Sequence, residues 1–500
     1  MATSACRPPV APPPLPGSDE TTPTSAPSDP HLVQASSASP PADCLAGYPD
    51  RPQTIVGPPS LHGAHKLSVV PAYMDDDAWP DLVVTTGGHD AKGHVYVLFG
   101  PFHGKSEPVP AWVSTVSDHF AGLAVGDIDG DGRLDIATSI FTMDGNQEVS
   151  GRVFLAAGPR AWQPGPIQPW HSRSAAIALG DANGDGRLDL FLGAIDLDGT
   201  DPLLTATQQL FLNRGARPWY DDDALVSPPG VDTMASTFTD MDGDGKLDVV
   251  SALAGVAWGV AYDRADLDRP HFLQCLGEPN RAFNVQLSPF RDADRTTQFA
   301  VTTSSHYCTG VFCRDRVFTQ RWNACDVDWE GDVGDLMPVA VRVADFDGNA
   351  ASDVLATFWT GEGPDPQPGP IGAYCGSGAA RSRTLTPLGT AQFRSLGVAL
   401  ADLDRSHVVA TSERWGAGGQ TIPEGATALT LQAPVVERVT RVELDGREIP
   451  ILAVPGSSWV AFPRPLTARN TVVVTYEVST SLDIVVADYT PGDVPVFFKE

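Results

Sequence analysis

Asp127-Ile-Asp129-Gly-Asp131-Gly-Arg133-Leu-Asp135 places acidic oxygens at positions 1, 3, 5 and 9 of a nine-residue loop, with glycines at positions 4 and 6. Oxygens at alternate positions converge on one point only if the backbone curls tightly, and glycine permits the positive φ of such a curl. The pattern returns as Asp181-Ala-Asn183-Gly-Asp185-Gly-Arg187-Leu-Asp189 and as Asp240-Met-Asp242-Gly-Asp244-Gly-Lys246-Leu-Asp248. A looser copy reads Asp345-Phe-Asp347-Gly-Asn349-Ala-Ala-Ser-Asp353. An all-oxygen donor set at this spacing suits Ca2+, whereas zinc favours nitrogen and sulfur and magnesium retains several waters. The candidate metal residues are these carboxylates and amides, together with Arg133, Arg187 and Lys246 at position 7 of their loops.

Short apolar strands flank the loops: Ala121–Gly126 before the first quoted loop and Leu134–Ala137 after it, then Ala175–Gly180 and Leu188–Leu192, then Val339–Val343 and Val354–Ala356. Such β-rich pieces around a glycine turn read as hairpins. Three weaker copies, beginning at Asp75, Asp292 and Asp402, keep Asp-x-Asp but lack the glycines, so they are expected to bind an ion weakly or not at all. The seven first aspartates stand at 75, 127, 181, 240, 292, 345 and 402. A repeat of about 50 residues made of short strands, unable to bury its own apolar face, is the mark of a β-propeller. Seven copies predict seven blades, with the chain near residues 51–60 pairing beside the seventh to close the ring.

A further strand recurs as Gly93-His-Val-Tyr-Val-Leu-Phe-Gly-Pro101, Gly151-Arg-Val-Phe-Leu-Ala-Ala-Gly-Pro159 and Gln209–Gly215. Its pairing with Asp-x-Asp-Gly-Asp-Gly-x-x-Asp resembles the FG-GAP (VCBS) repeats of integrin α-subunit propellers and of many bacterial surface proteins, over about residues 55–432. The resemblance implies a seven-bladed propeller with calcium held between the first two strands of several blades.

The fold class expected is therefore all-β, in three parts: a Pro/Ser/Thr-rich tether over 1–50, the propeller over 51–432, and a small β-sandwich-like domain over 433–500. The last shows a hairpin turning at Asp445-Gly446 and strands at 458–462, 470–478 and 482–487, which are alternatively the completion of the last blade. The tether cannot bury enough apolar surface to fold. Its Cys6, after a run of small residues, resembles the lipidated end of a bacterial lipoprotein, although the basic and hydrophobic parts of a signal peptide do not precede it. A lipid on Cys6 is the one membrane contact expected. The other cysteines, Cys44, Cys275, Cys308, Cys313, Cys325 and Cys375, are even in number and point to disulfides in an oxidising, extracellular setting, with no connectivity legible.

A net charge of -29 argues against nucleic acid or an anionic membrane surface as partner, because phosphate recognition requires a basic face. The chain holds no Gly-x-Ser-x-Gly elbow, His-Glu-x-x-His or phosphate-cradling glycine loop. Its paired carboxylates fall at metal-ligand spacing, so a non-enzymatic recognition or adhesion module with a protein or glycan ligand is expected. The alternative is a carbohydrate-active propeller, lectin-like or a polysaccharide lyase, with aromatic platforms drawn from Trp79, Trp112, Trp170, Trp219, Trp258, Trp322, Trp359 and Trp415.

Overall fold

The structure is a computed structural model describing residues 43–499 apart from 89–90, 103–106, 142–150, 166–173, 195–207, 217–219, 221–224, 227–231, 255–259, 263–283, 292–295, 305–314, 322–326, 362–366, 378–379 and 434. The tether to residue 42 with Cys6, the Asp292 loop, and Cys275, Cys308, Cys313 and Cys325 lie outside the described residues. The described chain is nearly all β, with one four-residue helix at Pro59–His62.

The acidic loops at Asp75, Asp127, Asp181, Asp240 and Asp345 each join the first two strands of an antiparallel sheet. The first repeat pairs Lys66–Ala72, Asp81–Thr86, Val95–Leu98 and Ala111–Val113 in that order, and the second pairs Phe120–Gly126, Asp135–Ile140, Gly151–Gly158 and Ala161–Pro164. The third, fifth and sixth repeats follow the same order, beginning at Ser174–Gly180, Asn284–Arg291 and Met337–Ala344. Three strands of the fourth are described, beginning at Asp232–Thr239. Second strands such as Asp81–Thr86 and Asp189–Ala194 are buried along their whole length, as a sheet covered on both faces requires.

Apolar clusters fill the space between successive sheets. Val83, Val95 and Val97 of the first repeat meet Phe120, Phe154 and Trp162 of the second. Ile177, Leu190 and Leu192 meet Phe238, Leu247 and Val249, and Phe290 and Val317 meet Val341, Val354 and Phe358. Val69, Leu82 and Leu98 of the first repeat also pack against Val485 and Val496 near the C-terminus. The first strands touch in the order of the repeats, and Ser395–Ala401 of the seventh lies against those of both the sixth and the first.

The seventh sheet divides the chain differently from the boundary expected at 432. Ser395–Ala401 pairs not with Val408–Trp415 but with Asp483–Asp488, then Val494–Phe497, then the N-terminal strand Gln53–Ile55. Gln53, Thr54 and Ile55 face Val496, Pro495 and Val494 in register, so the N-terminal strand joins the seventh sheet as expected, but through a strand from the stretch expected to form a separate domain. The last residues of the chain thus belong to the repeat array, and 403–482 is an insertion between the first and second strands of the seventh repeat. It carries its own sheet, ordered Val408–Trp415, Val472–Ser479, Arg438–Leu444, Arg447–Ile449, and a two-stranded piece, Ala428–Thr430 with Trp459–Ala461. Leu429, Val442, Val460, Phe462 and Val474 form its separate core. The physical reason is burial: Val408–Trp415 leaves four of its eight residues exposed and cannot serve as a doubly covered second strand, whereas Asp483–Asp488 is buried for five of its six residues.

Cys44 is bonded to Cys375, tying the chain just before the N-terminal strand to the sixth repeat across a sequence separation of 331. Tyr48 donates from its hydroxyl to the Leu482 carbonyl beside the same junction.

Candidate metal centres

Asp127, Asp129 and Asp135 each present an oxygen within 4.8 Å of the others, and so do Asp240, Asp242 and Asp248, and Asp345, Asp347 and Asp353. A calcium ion takes oxygens at roughly 2.3–2.6 Å, so ligands on one ion lie up to about 5 Å apart. The three clusters fit that limit. In the third repeat Asp181, Asn183 and Asp189 occupy the same positions of an equally curled loop.

The curl is backbone-built. Asp127 accepts N–H groups from Gly130 at 2.8 Å, Asp131 at 3.1 Å and Gly132 at 2.9 Å. Asp181 accepts from Asp185 at 3.0 Å and Gly186 at 2.9 Å. Gly130 and Gly132 take φ of 76° and 86°, values that a side chain strains. In the looser copy Ala350 stands at position 6 with φ 64° and still donates to Asp345 at 2.8 Å, so the loop keeps its shape at a local cost of about 1–2 kcal/mol.

Position 9 has a structural part that spacing did not reveal. The Asp135 carboxylate accepts Ile128 N–H at 2.9 Å through one oxygen and Ala156 N–H at 2.7 Å through the other, bridging its own loop to the third strand. Asp189 likewise accepts from Ala182 and Asn213, Asp353 from Phe346 and Gly376, and Asp81 from Met74 and Gly100, the second donor of each lying just past the third strand. Burial pushes Asp135 up to about 7, Asp189 up to about 8 and Asp353 up to about 6, against the opposing pull of those N–H donors. A carboxylate that resists ionisation in a dry pocket beside other carboxylates gains most from a divalent cation.

At position 5 one carboxylate oxygen accepts the N–H of position 7 and the other meets the position-7 side chain. Asp131 pairs with Arg133 at 2.5 Å, Asp244 with Lys246 at 2.6 Å, and Asp185 with Arg187. The position-7 side chains thus neutralise position 5, and neither group belongs to the three-oxygen clusters.

Two loops expected to be degenerate differ from one another. In the first, Arg160 of the second repeat reaches Asp75 at 2.6 Å and Asp77 at 3.3 Å, so a guanidinium neutralises that pair. The seventh is complete in outline. Asp402 and Asp404 are joined by Asp483, from beyond the insertion, in a cluster with the same 4.8 Å limit. Asp402 accepts from Ser406 at 3.0 Å and His407 at 2.9 Å, and Arg405 takes φ 53° at position 4, where the loops at Asp127, Asp181, Asp240 and Asp345 use glycine. Ion pairs from Arg405 to Glu477, at 3.1 and 3.2 Å, hold that residue in place. Asp483 repeats the position-9 bridge, accepting from Leu403 at 2.8 Å and Lys499 at 3.0 Å, and burial raises it to about 8. The correction to the sequence reading is specific: the glycines are missing, but the curl is not. Leu482-Asp483-Ile484 repeats Leu134-Asp135-Ile136 and was the available signal.

Of the tryptophans considered as glycan platforms, Trp112 packs edge-on against Phe154 and Trp162, Trp359 donates to Ser395 O at 2.9 Å, and Trp415 sits in the core of the insertion. Trp170, Trp219, Trp258 and Trp322 lie outside the described residues.

Residues 74–138 match the FG-GAP-like repeat, a span holding the first two acidic loops. No curated protein matches the chain. Among solved structures it is similar to an exo-β-1,3-galactanase from Phanerochaete chrysosporium with galactose, at 8% identity over 76% of this chain and 96% of that one, TM-score 0.31. It is also similar to BBS1N in complex with ARL6DN, at 10% identity over 62% of this chain and 94% of that one, TM-score 0.36. The repeat match and the sheet order agree on a repeat-built, propeller-like all-β protein whose acidic clusters have the chemistry to hold a metal ion.

Proposed function

We propose that this chain is a seven-bladed β-propeller braced by calcium between the first two strands of several blades, and that it works outside the cell as a non-enzymatic recognition or adhesion module. The observation that carries the reading is the recurrence of one carboxylate geometry at one topological position, at Asp127, Asp240, Asp345 and Asp402 and their partners. Packing supports the ring, since the seventh sheet lies against the sixth on one side and the first on the other. Calcium supplies the charge that lets converging carboxylates share a site, and the chain supplies the curl and the buried aspartate that orient them. The Cys44–Cys375 bond suits an oxidising exterior, where free calcium is also plentiful. With its ions fixing loops, the propeller surface is left to a protein or glycan ligand.

Two measurements test the calcium reading. Elemental analysis of a calcium-equilibrated, desalted sample is expected to find about four ions per chain, and EDTA to lower the melting temperature by several degrees. Fewer than two ions, or an unchanged melt, overturns the calcium reading. Turnover of a polysaccharide by the pure protein would overturn the non-enzymatic reading, and a glycan array with and without calcium separates glycan from protein ligands.

A further inference from the structure

The insertion leaves the array at the seventh acidic loop, and its far side rests on the third and fourth. Gly245, at position 6 of the fourth loop, accepts N–H groups from Thr427 at 2.8 Å and Ala428 at 2.7 Å. A Cβ on Gly245 would come within 2.4 Å of the Ala426 Cβ, and one on Gly186, at position 6 of the third loop, within 2.6 Å of the Pro463 Cα. The glycines that let these loops curl are therefore also the surface on which the insertion sits. Trp459 donates from Nε1 to Phe238 O at 3.1 Å, just before the fourth loop. Ala428, Trp459 and Ala461 share one buried cluster with Ala182, Leu188 and Leu247 of those two loops.

First strands touch in repeat order, with the seventh between the sixth and the first. The third and fourth repeats are therefore three steps from the seventh in either direction. A segment rooted at the seventh and seated on the third and fourth has to cross the axis. It lies over the end of the ring that carries the acidic loops.

We infer that the insertion is a cap over that end of the ring and that its docking is linked to cation binding by the third and fourth loops. The inference rests on the calcium reading above. An ion that fixes the curl at Gly186 and Gly245 fixes the seat for Pro463, Ala426 and Ala428. By reciprocity, a docked cap raises the affinity of those loops for the ion by the same factor.

Hydrogen exchange of the full chain, with calcium and with EDTA, reads the linkage directly. Removing calcium is expected to speed exchange at least tenfold in peptides covering 426–431 and 458–462, while the insertion's own core strand at 472–478 stays protected. Trp459→Ala, which touches no loop carboxylate, is expected to weaken part of the bound calcium on the order of tenfold in a calorimetric titration and to leave the rest at parental affinity. Calcium binding with unchanged exchange at 426–431 overturns the linkage and leaves the calcium reading intact. No calcium binding at all overturns both. The exchange measurement uses the parental protein, so the outcome stands even if the variant folds poorly.

Discussion

Deleting residues 1–41 is expected to leave stability unchanged, whereas deleting 1–62 is expected to remove the outer strand and the covalent tie of the seventh sheet together. Three contributions are lost in the longer deletion. The Cys44–Cys375 bond spans a separation of 331, for which the chain-entropy relation gives about 6 kcal/mol, and of which native disulfides commonly deliver about 2–5 kcal/mol. Ile55 and Leu61 are 3% and 0% exposed in the cluster between the seventh and first sheets, and burial of each is worth about 1.5–3 kcal/mol. Loss of Gln53–Ile55 also uncovers the edge of Val494–Phe497. Cys44→Ser with Cys375→Ser isolates the first term, expected at about 2–5 kcal/mol, and Leu61→Ala the second, expected at about 2–5 kcal/mol with its cavity. Urea unfolding followed by tryptophan fluorescence and by far-ultraviolet circular dichroism measures all four proteins in saturating calcium. A 1–62 deletion with the same midpoint as the 1–41 deletion would refute the claim that the N-terminal segment completes the seventh sheet.

Stability without calcium should fall as pH rises. Burial holds Asp353 up at about 6, Asp135 at about 7 and Asp189 and Asp483 at about 8, so the folded chain keeps protons that the unfolded chain releases above about pH 4. The penalty grows with pH and is complete only above those folded values, at about 1.4 kcal/mol per raised unit. In EDTA the urea midpoint is therefore expected to be lower at pH 8 than at pH 5.5, with saturating calcium flattening the difference; equal midpoints in EDTA would show that these carboxylates ionise freely. Asp483→Ala leaves the buried Leu403 N–H without its acceptor, at about 1–3 kcal/mol, and the half-buried Lys499 N–H at less, whereas Asp404→Ala removes one acceptor from the exposed Ser406 N–H. Equal losses in the two variants at pH 8 with calcium would mean that Asp483 does not bridge the split loop. Arg160→Ala should cost about 1 kcal/mol or less at 0.1 M salt and nearly nothing at 1 M, because the ion pair is partly exposed; a salt-independent loss would point to its packing on Phe99 instead.

The chain by itself determined the all-β class, the period near 50 residues and the loops at Asp127, Asp181, Asp240 and Asp345, because alternating oxygens and permissive glycines act within nine residues. That Gln53–Ile55 joins the array was legible as a spare strand before the first repeat, but its partner was not: it pairs with Val494–Phe497, in the stretch expected to form a separate domain. The position-9 role was hidden, since the partners of Asp135 and Asp189, on or just past the third strands, lie more than 20 residues downstream. The Asp402 loop looked broken because spacing is local, while its closing carboxylate, Asp483, follows an insertion that folds on its own core. Its curl was equally hidden: a left-handed Arg405 is held by Glu477, a contact across 72 residues. The seventh sheet gathers strands that start at 53, 395, 483 and 494, and pairing over such distances is set by which apolar faces the neighbouring sheets leave to be covered, something no periodicity along the chain records.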